Sequence, residues 1–227
     1  MSELLSSVEI NPSAPVTASV IFLHGLGADG HDLAPLAAEL DLGGVRFVFP
    51  HAPVRPVTIN GGYRMRAWYD IVSRDIVQGE DATGIRQSEQ QVRALIQHEL
   101  EQGIAAERIV LAGFSQGGAI ALHTGLRYSQ RLAGILALST YLPLAASVRE
   151  ESTVANGATP ILMAHGTEDD VVPYSAGEKS RQLLTSLGRT VIWRSYPMPH
   201  TLCAAEITDA AIWLSEVLLL ELPRPSA

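Results

Sequence analysis

The sequence is poor in cysteine and in clustered positive charge. Among its 227 residues Cys203 is the only cysteine, so a disulfide bond within the chain is excluded. The 16 lysine and arginine side chains are scattered and outnumbered by 24 acidic ones, which gives a formal net charge of -8. Because binding of nucleic acids depends on clustered positive charge, we predict no nucleic-acid partner.

Long apolar runs are also missing. Residues 1–16 show neither the basic start nor the apolar core of a secretory signal. The longest apolar stretch near the C-terminus, residues 217–220, is far too short to span a bilayer. These features predict a cytoplasmic protein without stable insertion into a membrane.

Short apolar runs alternate with amphipathic segments along most of the chain. The runs predict strands at Ala18–Leu23, 46–49, 108–112, Gly134–Leu138, 161–164 and 190–196. Most of them are almost continuously apolar, as expected for strands buried on both faces of a parallel sheet. Helical periodicity predicts helices over 88–102, 116–128, 175–187 and 204–220.

This alternation predicts the α/β class, with a mostly parallel, doubly wound sheet and helices on both faces. The chain shows no internal repeat or linker, so we expect a single domain over residues 1–227. Residues 50–83 mix proline, glycine and aromatic residues and predict a long loop. A loop of that length in a compact domain usually has a function.

The strongest local motif is GxSxG at residues 113–117, Gly-Phe-Ser-Gln-Gly. It follows a predicted strand and precedes a predicted helix, which is the context of a nucleophile elbow. In such an elbow a sharp turn lifts the serine hydroxyl above the sheet, and the helix N-terminus faces the charge that develops on the substrate. The motif predicts that Ser115 is a nucleophile.

A nucleophile elbow requires an acid and then a histidine in loops after later strands. His200 follows the strand predicted over 190–196, and Asp169 and Asp170 follow the strand predicted over 161–164. Their order along the chain predicts a Ser-His-Asp triad, in which the histidine moves the serine proton and the carboxylate orients the imidazole. Spacing alone leaves the choice between the two aspartates open. His24 and His165, which precede glycines at strand ends, are interpreted as structural.

A glycine-rich loop at residues 25–30 follows the first predicted strand. The pattern GxGxxG is also found in dinucleotide-binding proteins, but the acidic residue expected about 20 positions later is missing. An oxyanion hole offers a better explanation, because it needs two backbone N–H groups, one after the nucleophile and one from an early loop. These donors are predicted to be Gln116 and Leu26.

Several segments together resemble the acyl-protein thioesterase and small bacterial carboxylesterase family. They are LHGLGADG, GGYRMRAWYD, LAGFSQGGAIALH, LSTYLP, HGTEDDVVP and PMPH, in that order, and they extend over most of the chain. The resemblance implies an α/β-hydrolase fold without a large lid and a carboxylesterase without a cofactor. It extends to acyl-thioesterases and lysophospholipases, which cleave esters and thioesters through an acyl-enzyme. Homodimers are common in the family.

The resemblance also assigns roles to particular residues. It implies Ser115, Asp169 and His200 as the triad, and it places Trp68 and Tyr69 beside the substrate. For these two aromatic residues, packing in the core remains an equal alternative. The chain departs from the family at Pro199, where glycine is more usual, and this proline predicts a stiffer histidine loop.

Three alternatives to an esterase are less favoured. The acidic residues 168–170 lack a second cluster of ligands, so no metal is expected. A serine peptidase on this fold usually carries an added domain, for which this chain has no room. A hydrolase-like binding protein without activity is disfavoured because the triad positions and both glycine loops are intact.

Overall fold

The computed structural model describes residues 4–73 and 79–220. A seven-stranded sheet forms the centre of the molecule, in the order β1-β3-β2-β6-β7-β8-β9. The bounds of its strands are β1 Ser7–Ile10, β2 Ala18–Leu23, β3 Val45–Pro50, β6 Ile109–Phe114, β7 Gly134–Leu138, β8 Ile161–Gly166 and β9 Val191–Tyr196. Only β1 runs antiparallel to its neighbour, β3; the other pairs are parallel.

Helices cover both faces of this sheet. Their bounds are α1 Gly30–Leu33, α2 Leu36–Leu40, α3 Ala82–Glu101, α4 Gln116–Arg127, α5 Val148–Glu151, α6 Tyr174–Ser186 and α7 Ala204–Val217. Alternate residues of the six parallel strands enter two separate hydrophobic clusters, as the two-residue period of a strand requires. One cluster includes α3 and α4, and the other includes α2 and α7.

The predicted α/β-hydrolase architecture is therefore confirmed. All six predicted strands and all four predicted long helices are present, with ends that differ by up to three residues except at the start of α3, which lies six residues before the predicted position. Among the described residues no segment forms a large lid. None of the helices within those residues is long and apolar enough to cross a bilayer.

The prediction of a loop over residues 50–83 was wrong in part. The segment contains a hairpin of β4 Val54–Val57 and β5 Tyr63–Arg66, and α3 already begins at Ala82. These short strands are largely exposed and contain arginine and proline, so they lack the apolar pattern that marks a buried strand. The sequence analysis did not predict β1, because its four residues are half-buried or exposed and also lack the apolar pattern of a buried strand.

Candidate functional site

Ser115 occupies the turn between β6 and α4. Its backbone angles, φ 55° and ψ -122°, are strained for a residue with a Cβ atom. Two hydrogen bonds hold this conformation: the Ser115 N–H donates to the Leu138 carbonyl at 2.9 Å, and the Thr140 hydroxyl donates to the Ser115 carbonyl at 2.6 Å. Thr140, which follows β7, is a support that the GxSxG motif does not reveal.

The glycines beside Ser115 allow close contact between backbone segments. A Cβ atom at Gly113 would overlap the backbone of Gly117, and one at Gly117 would overlap the carbonyl of Leu23. The N-terminus of α4 can therefore approach β2 and β6 only because both residues lack side chains. This packing fixes the position from which the Ser115 hydroxyl projects.

Three side chains from separate loops meet at the elbow. His200 lies beyond β9, and its Nε2 is 2.9 Å from Ser115 Oγ. Its Nδ1 is 2.7 Å from Oδ2 of Asp169, which lies beyond β8. Pro199, which directly precedes His200, does not prevent this histidine from reaching both partners. The structure thus brings together the three side chains that the sequence predicts.

The two candidate aspartates have different environments. The Asp169 side chain is fully buried, and its Oδ1 accepts hydrogen bonds from the N–H groups of Val171 and Val172 at 2.9 and 2.8 Å. Its Oδ2 is thereby turned toward His200. Asp170 is exposed. Of the two candidates, the carboxylate that the structure places within hydrogen-bond distance of His200 is therefore that of Asp169.

Two buried histidines support the loops of the site without reaching its centre. His165 Nε2 lies 2.9 Å from the Val172 carbonyl and 3.4 Å from Asp169 Oδ2, while burial lowers the pKa of His165. His24 Nδ1 donates to the Gly25 carbonyl at 2.7 Å, and its Nε2 accepts the N–H of Ala52 at 3.0 Å. Burial lowers the pKa of His24 as well, so the neutral form is favoured. The structural interpretation of both histidines is confirmed.

Leu26 and Gln116 present backbone N–H groups near Ser115. Gln116 is the first residue of α4, where N–H groups have no partner within the helix. Within the described residues, the Leu26 N–H donates to no other backbone group. Gly25 lies against the elbow, where a Cβ atom on this glycine would come within 3.3 Å of Ser115 Cβ. Both predicted donors therefore belong to backbone segments that meet at Ser115.

Residues 66–69, which we call the clamp segment, bind both loops that carry these N–H groups. On the side of the glycine loop, the Gly27 N–H donates to the Arg66 carbonyl at 2.9 Å, and the Trp68 indole N–H donates to the His24 carbonyl at 2.9 Å. One of these hydrogen bonds holds the chain before Leu26 and the other holds the chain after it.

On the side of the elbow, the buried Gln116 side chain is held at both ends. Its Oε1 accepts the Trp68 N–H and its Nε2 donates to the Tyr69 carbonyl, each at 2.8 Å. The clamp segment is in turn tied to α3, because the Ser88 hydroxyl donates to the Trp68 carbonyl. One short piece of chain therefore contacts both halves of the predicted oxyanion hole.

The structure does not place Trp68 and Tyr69 on the surface of the cleft. Trp68 is 0% exposed and Tyr69 is 2% exposed, and Tyr69 bonds to the hydroxyl of Tyr141 at 2.9 Å. The substrate contact implied by the resemblance is corrected to a role in packing and hydrogen bonding. Their aromatic character suits either role, so the sequence alone does not separate the two.

A cleft of about 440 Å³ opens beside the Ser115 hydroxyl. It is lined mainly by apolar side chains and by backbone of the glycine loop, and its lining includes Leu26, Leu33, Phe114, Val171 and Leu202 together with His200 and Asp32. An apolar cleft with few polar groups that converge on a nucleophile is typical of a small-molecule site.

Comparison with known proteins agrees with this geometry. The phospholipase/carboxylesterase family profile matches residues 6–218. Acyl-protein thioesterase 1 of Gibberella zeae is 41% identical over 214 residues, which cover 89% of this chain and 91% of that protein. Acyl-protein thioesterase 1 of Neurospora crassa is 43% identical over 214 residues, covering 89% of this chain and 87% of that protein.

Solved structures show the same similarity. SOBER1 of Arabidopsis thaliana superposes with a TM-score of 0.85 at 30% identity, covering 89% of this chain and all of that one (100%). Acyl-protein thioesterase 2 of Zea mays superposes with a TM-score of 0.84 at 27% identity, covering 94% of this chain and 99% of that one. The chain therefore belongs to the phospholipase/carboxylesterase family, and it is a hydrolase of the carboxylesterase and acyl-thioesterase class.

Proposed function

We propose that the protein hydrolyses carboxylic esters and thioesters through an acyl-enzyme on Ser115. The observation that carries this proposal is the continuous series of hydrogen bonds from Ser115 Oγ through His200 to Asp169, at 2.9 and 2.7 Å. A serine hydroxyl is a weak nucleophile near neutral pH, and an adjacent general base within hydrogen-bond distance activates it.

In the acylation step Ser115 Oγ attacks the carbonyl carbon while His200 Nε2 takes the hydroxyl proton. The carbonyl π electrons move to oxygen, and the resulting oxyanion accepts hydrogen bonds from the Leu26 and Gln116 N–H groups. When the carbonyl reforms, the bond to the leaving oxygen or sulfur breaks and His200 returns the proton to that atom. An alcohol or a thiol departs and the acyl group remains on Ser115.

Deacylation repeats these steps with water as the nucleophile. His200 takes one proton from the water as its oxygen attacks the acyl carbon. When the carbonyl reforms, the bond between the acyl carbon and Ser115 Oγ breaks and His200 returns the proton to this oxygen. Asp169 stays ionised throughout and stabilises the imidazolium that forms twice in each cycle. The products are a carboxylic acid and the free enzyme, and no cofactor takes part in the proposed cycle.

We infer a positioning role for Trp68 in the same reaction. Its indole N–H and its backbone N–H contact the glycine loop and Gln116 respectively, at 2.9 and 2.8 Å. Because an oxyanion hole works by holding its donors in place before charge develops, a support shared by both loops affects the transition state more than substrate binding.

Three broader expectations are also kept as proposals. We propose that residues 1–227 form one domain, supported by two hydrophobic clusters that lie on opposite faces of the same sheet. A cytoplasmic location is proposed from the sequence features described above, and a homodimer is proposed from the family resemblance.

Replacing the nucleophile tests the acyl-enzyme directly. Ser115→Ala is expected to lower kcat for a chromogenic ester by up to about 10⁶-fold, because the proton relay then has no nucleophile to activate. The wild-type chain should bind one phosphonate group, at Ser115, as read by mass spectrometry of the intact protein and its peptides. Activity within about tenfold of wild type would contradict the assignment. An inactive wild-type chain that still binds esters would instead indicate a binding protein.

The two neighbouring aspartates provide a matched pair of variants. Asp169→Asn is expected to lower kcat roughly 10⁴-fold, because an amide favours the wrong imidazole tautomer. Asp170→Asn serves as the control and should change kcat less than about twofold, since its side chain is exposed. Steady-state kinetics of both purified variants measure the effect. The opposite ranking of the two variants would show that Asp170 is the orienting acid.

Removing a single donor from the clamp segment separates positioning from substrate contact. Trp68→Phe keeps an aromatic ring but loses the indole N–H that bonds to the His24 carbonyl. We expect kcat to fall about tenfold or more with KM nearly unchanged, because the effect falls on the transition state. Binding of a boronic-acid transition-state analogue should weaken in parallel.

Trp213→Phe is the control for this experiment. Trp213 is also buried, at 4% exposure, but it belongs to the hydrophobic cluster on the opposite face of the sheet. Comparable loss of kcat in both variants would indicate general destabilisation. A higher KM at constant kcat in Trp68→Phe would instead favour the substrate contact that the family resemblance implies.

A further inference from the structure

The cleft lies on one side of the Ser115 nucleophile. The two residues after His200, Thr201 and Leu202, line it, and so does Phe114, whose ring centre is 4.7 Å from that of the His200 imidazole. In the proposed reaction His200 Nε2 delivers a proton to the departing oxygen or sulfur, so the leaving group must lie against this imidazole. The cleft therefore extends in the direction of the leaving group.

The walls of this cleft are mainly apolar, and the charged side chain among them is negative. Apart from His200, Asp32 is the only titratable side chain among the described residues that line the cleft. Asp32 Oδ2 accepts the backbone N–H of Asp29 at 2.7 Å, which fixes the carboxylate at the start of α1. The Asp32 residue remains exposed.

Neighbouring cations do not neutralise Asp32. Among the described residues no ion pair includes Asp32. The nearby Arg66 donates to the Ala52 carbonyl at 2.9 Å, and its Nε lies 4.0 Å from Asp29 Oδ2. The charge of Arg66 is thus directed toward Asp29, and Asp32 keeps an uncompensated negative charge at the cleft.

We propose that this cleft is the leaving-group subsite, and that Asp32 makes it prefer alcohols or thiols whose apolar stem ends in a cation. The apolar walls contact the stem of the leaving group, and the Asp32 carboxylate attracts the positive charge at its end. An anionic leaving group meets repulsion from the same carboxylate. This inference rests on the proposed function, because the direction of the leaving group follows from the proton transfer by His200.

Three thioesters with one acyl group provide the test. They are the S-butyryl esters of thiocholine, of its uncharged isostere 3,3-dimethylbutanethiol, and of anionic 2-mercaptoethanesulfonate. Each released thiol is measured with a chromogenic disulfide, and each kcat/KM is expressed relative to that of the uncharged ester. Comparing these ratios between variants cancels the intrinsic reactivity of the three thiols.

The decisive variant is Asp32→Asn, in which the amide oxygen still accepts the Asp29 N–H but carries no charge. We expect the ratio of cationic to uncharged ester to fall about three- to sixfold, as for one solvent-exposed charge pair. The ratio for the anionic ester should rise by a similar factor. Glu39→Gln, which removes an equal charge from an exposed position of α2 outside the cleft lining, should leave both ratios within about 1.5-fold.

A second measurement needs no variant. In the wild-type chain, raising NaCl from about 0.02 to about 0.5 M should reduce the preference for the cationic ester severalfold, because salt screens exposed charges. Spontaneous hydrolysis of each ester at the same salt concentration provides the correction.

Ratios that are unchanged in Asp32→Asn and insensitive to salt would overturn the subsite while leaving the esterase intact. Equal shifts in Asp32→Asn and Glu39→Gln would also overturn it, because they would show an effect of net charge alone. Failure of the wild-type chain to hydrolyse even the uncharged ester would contradict the proposed function itself.

Discussion

The close approach of α4 to the sheet is the constraint on which the site depends. Gly113 and Gly117 let the backbone of the α4 N-terminus contact β2 and β6, and this contact forces Ser115 into its strained conformation with φ 55°. Backbone strain of this kind persists only where the contacts of the surrounding structure hold the residue in its conformation. Here the Leu138 carbonyl and the Thr140 hydroxyl, both from the β7 side, hold the Ser115 backbone in place.

The remaining groups converge on Ser115 because of the topology of the sheet. The glycine loop, the elbow, the Asp169 loop and the His200 loop follow β2, β6, β8 and β9, and the carboxyl ends of parallel strands share one edge. Side chains that lie up to 85 positions apart in sequence thereby meet within hydrogen-bond distance. Each loop is fixed locally: Asp169 by two backbone N–H groups, and the glycine loop by His24.

The clamp segment joins parts of the site that the sheet alone would leave independent. The loops that carry both predicted oxyanion donors are bonded to residues 66–69, and the first of these residues, Arg66, ends the second strand of the hairpin. The cleft beside Ser115 is accessible and is lined by the glycine loop, α1 and the residues after His200. The site thus combines a buried support for the predicted oxyanion donors with an accessible cleft, which we propose receives the leaving group. Substrate selectivity is expected to come from the open region.

The sequence by itself determined the fold class, the elbow at Ser115 and the order of the acid and the histidine. These features depend on local patterns: apolar runs, GxSxG between a strand and a helix, and loops after later strands. Local spacing did not distinguish Asp169 from Asp170; the family resemblance favoured Asp169, and the tertiary structure gave the physical reason, because the direction of a side chain in a loop depends on its hydrogen-bond partners. The tertiary structure also showed that Trp68 is buried in the clamp segment and that Asp32 lines the cleft. An indole packs equally well against a ligand or a core, and only the three-dimensional contacts show which it meets.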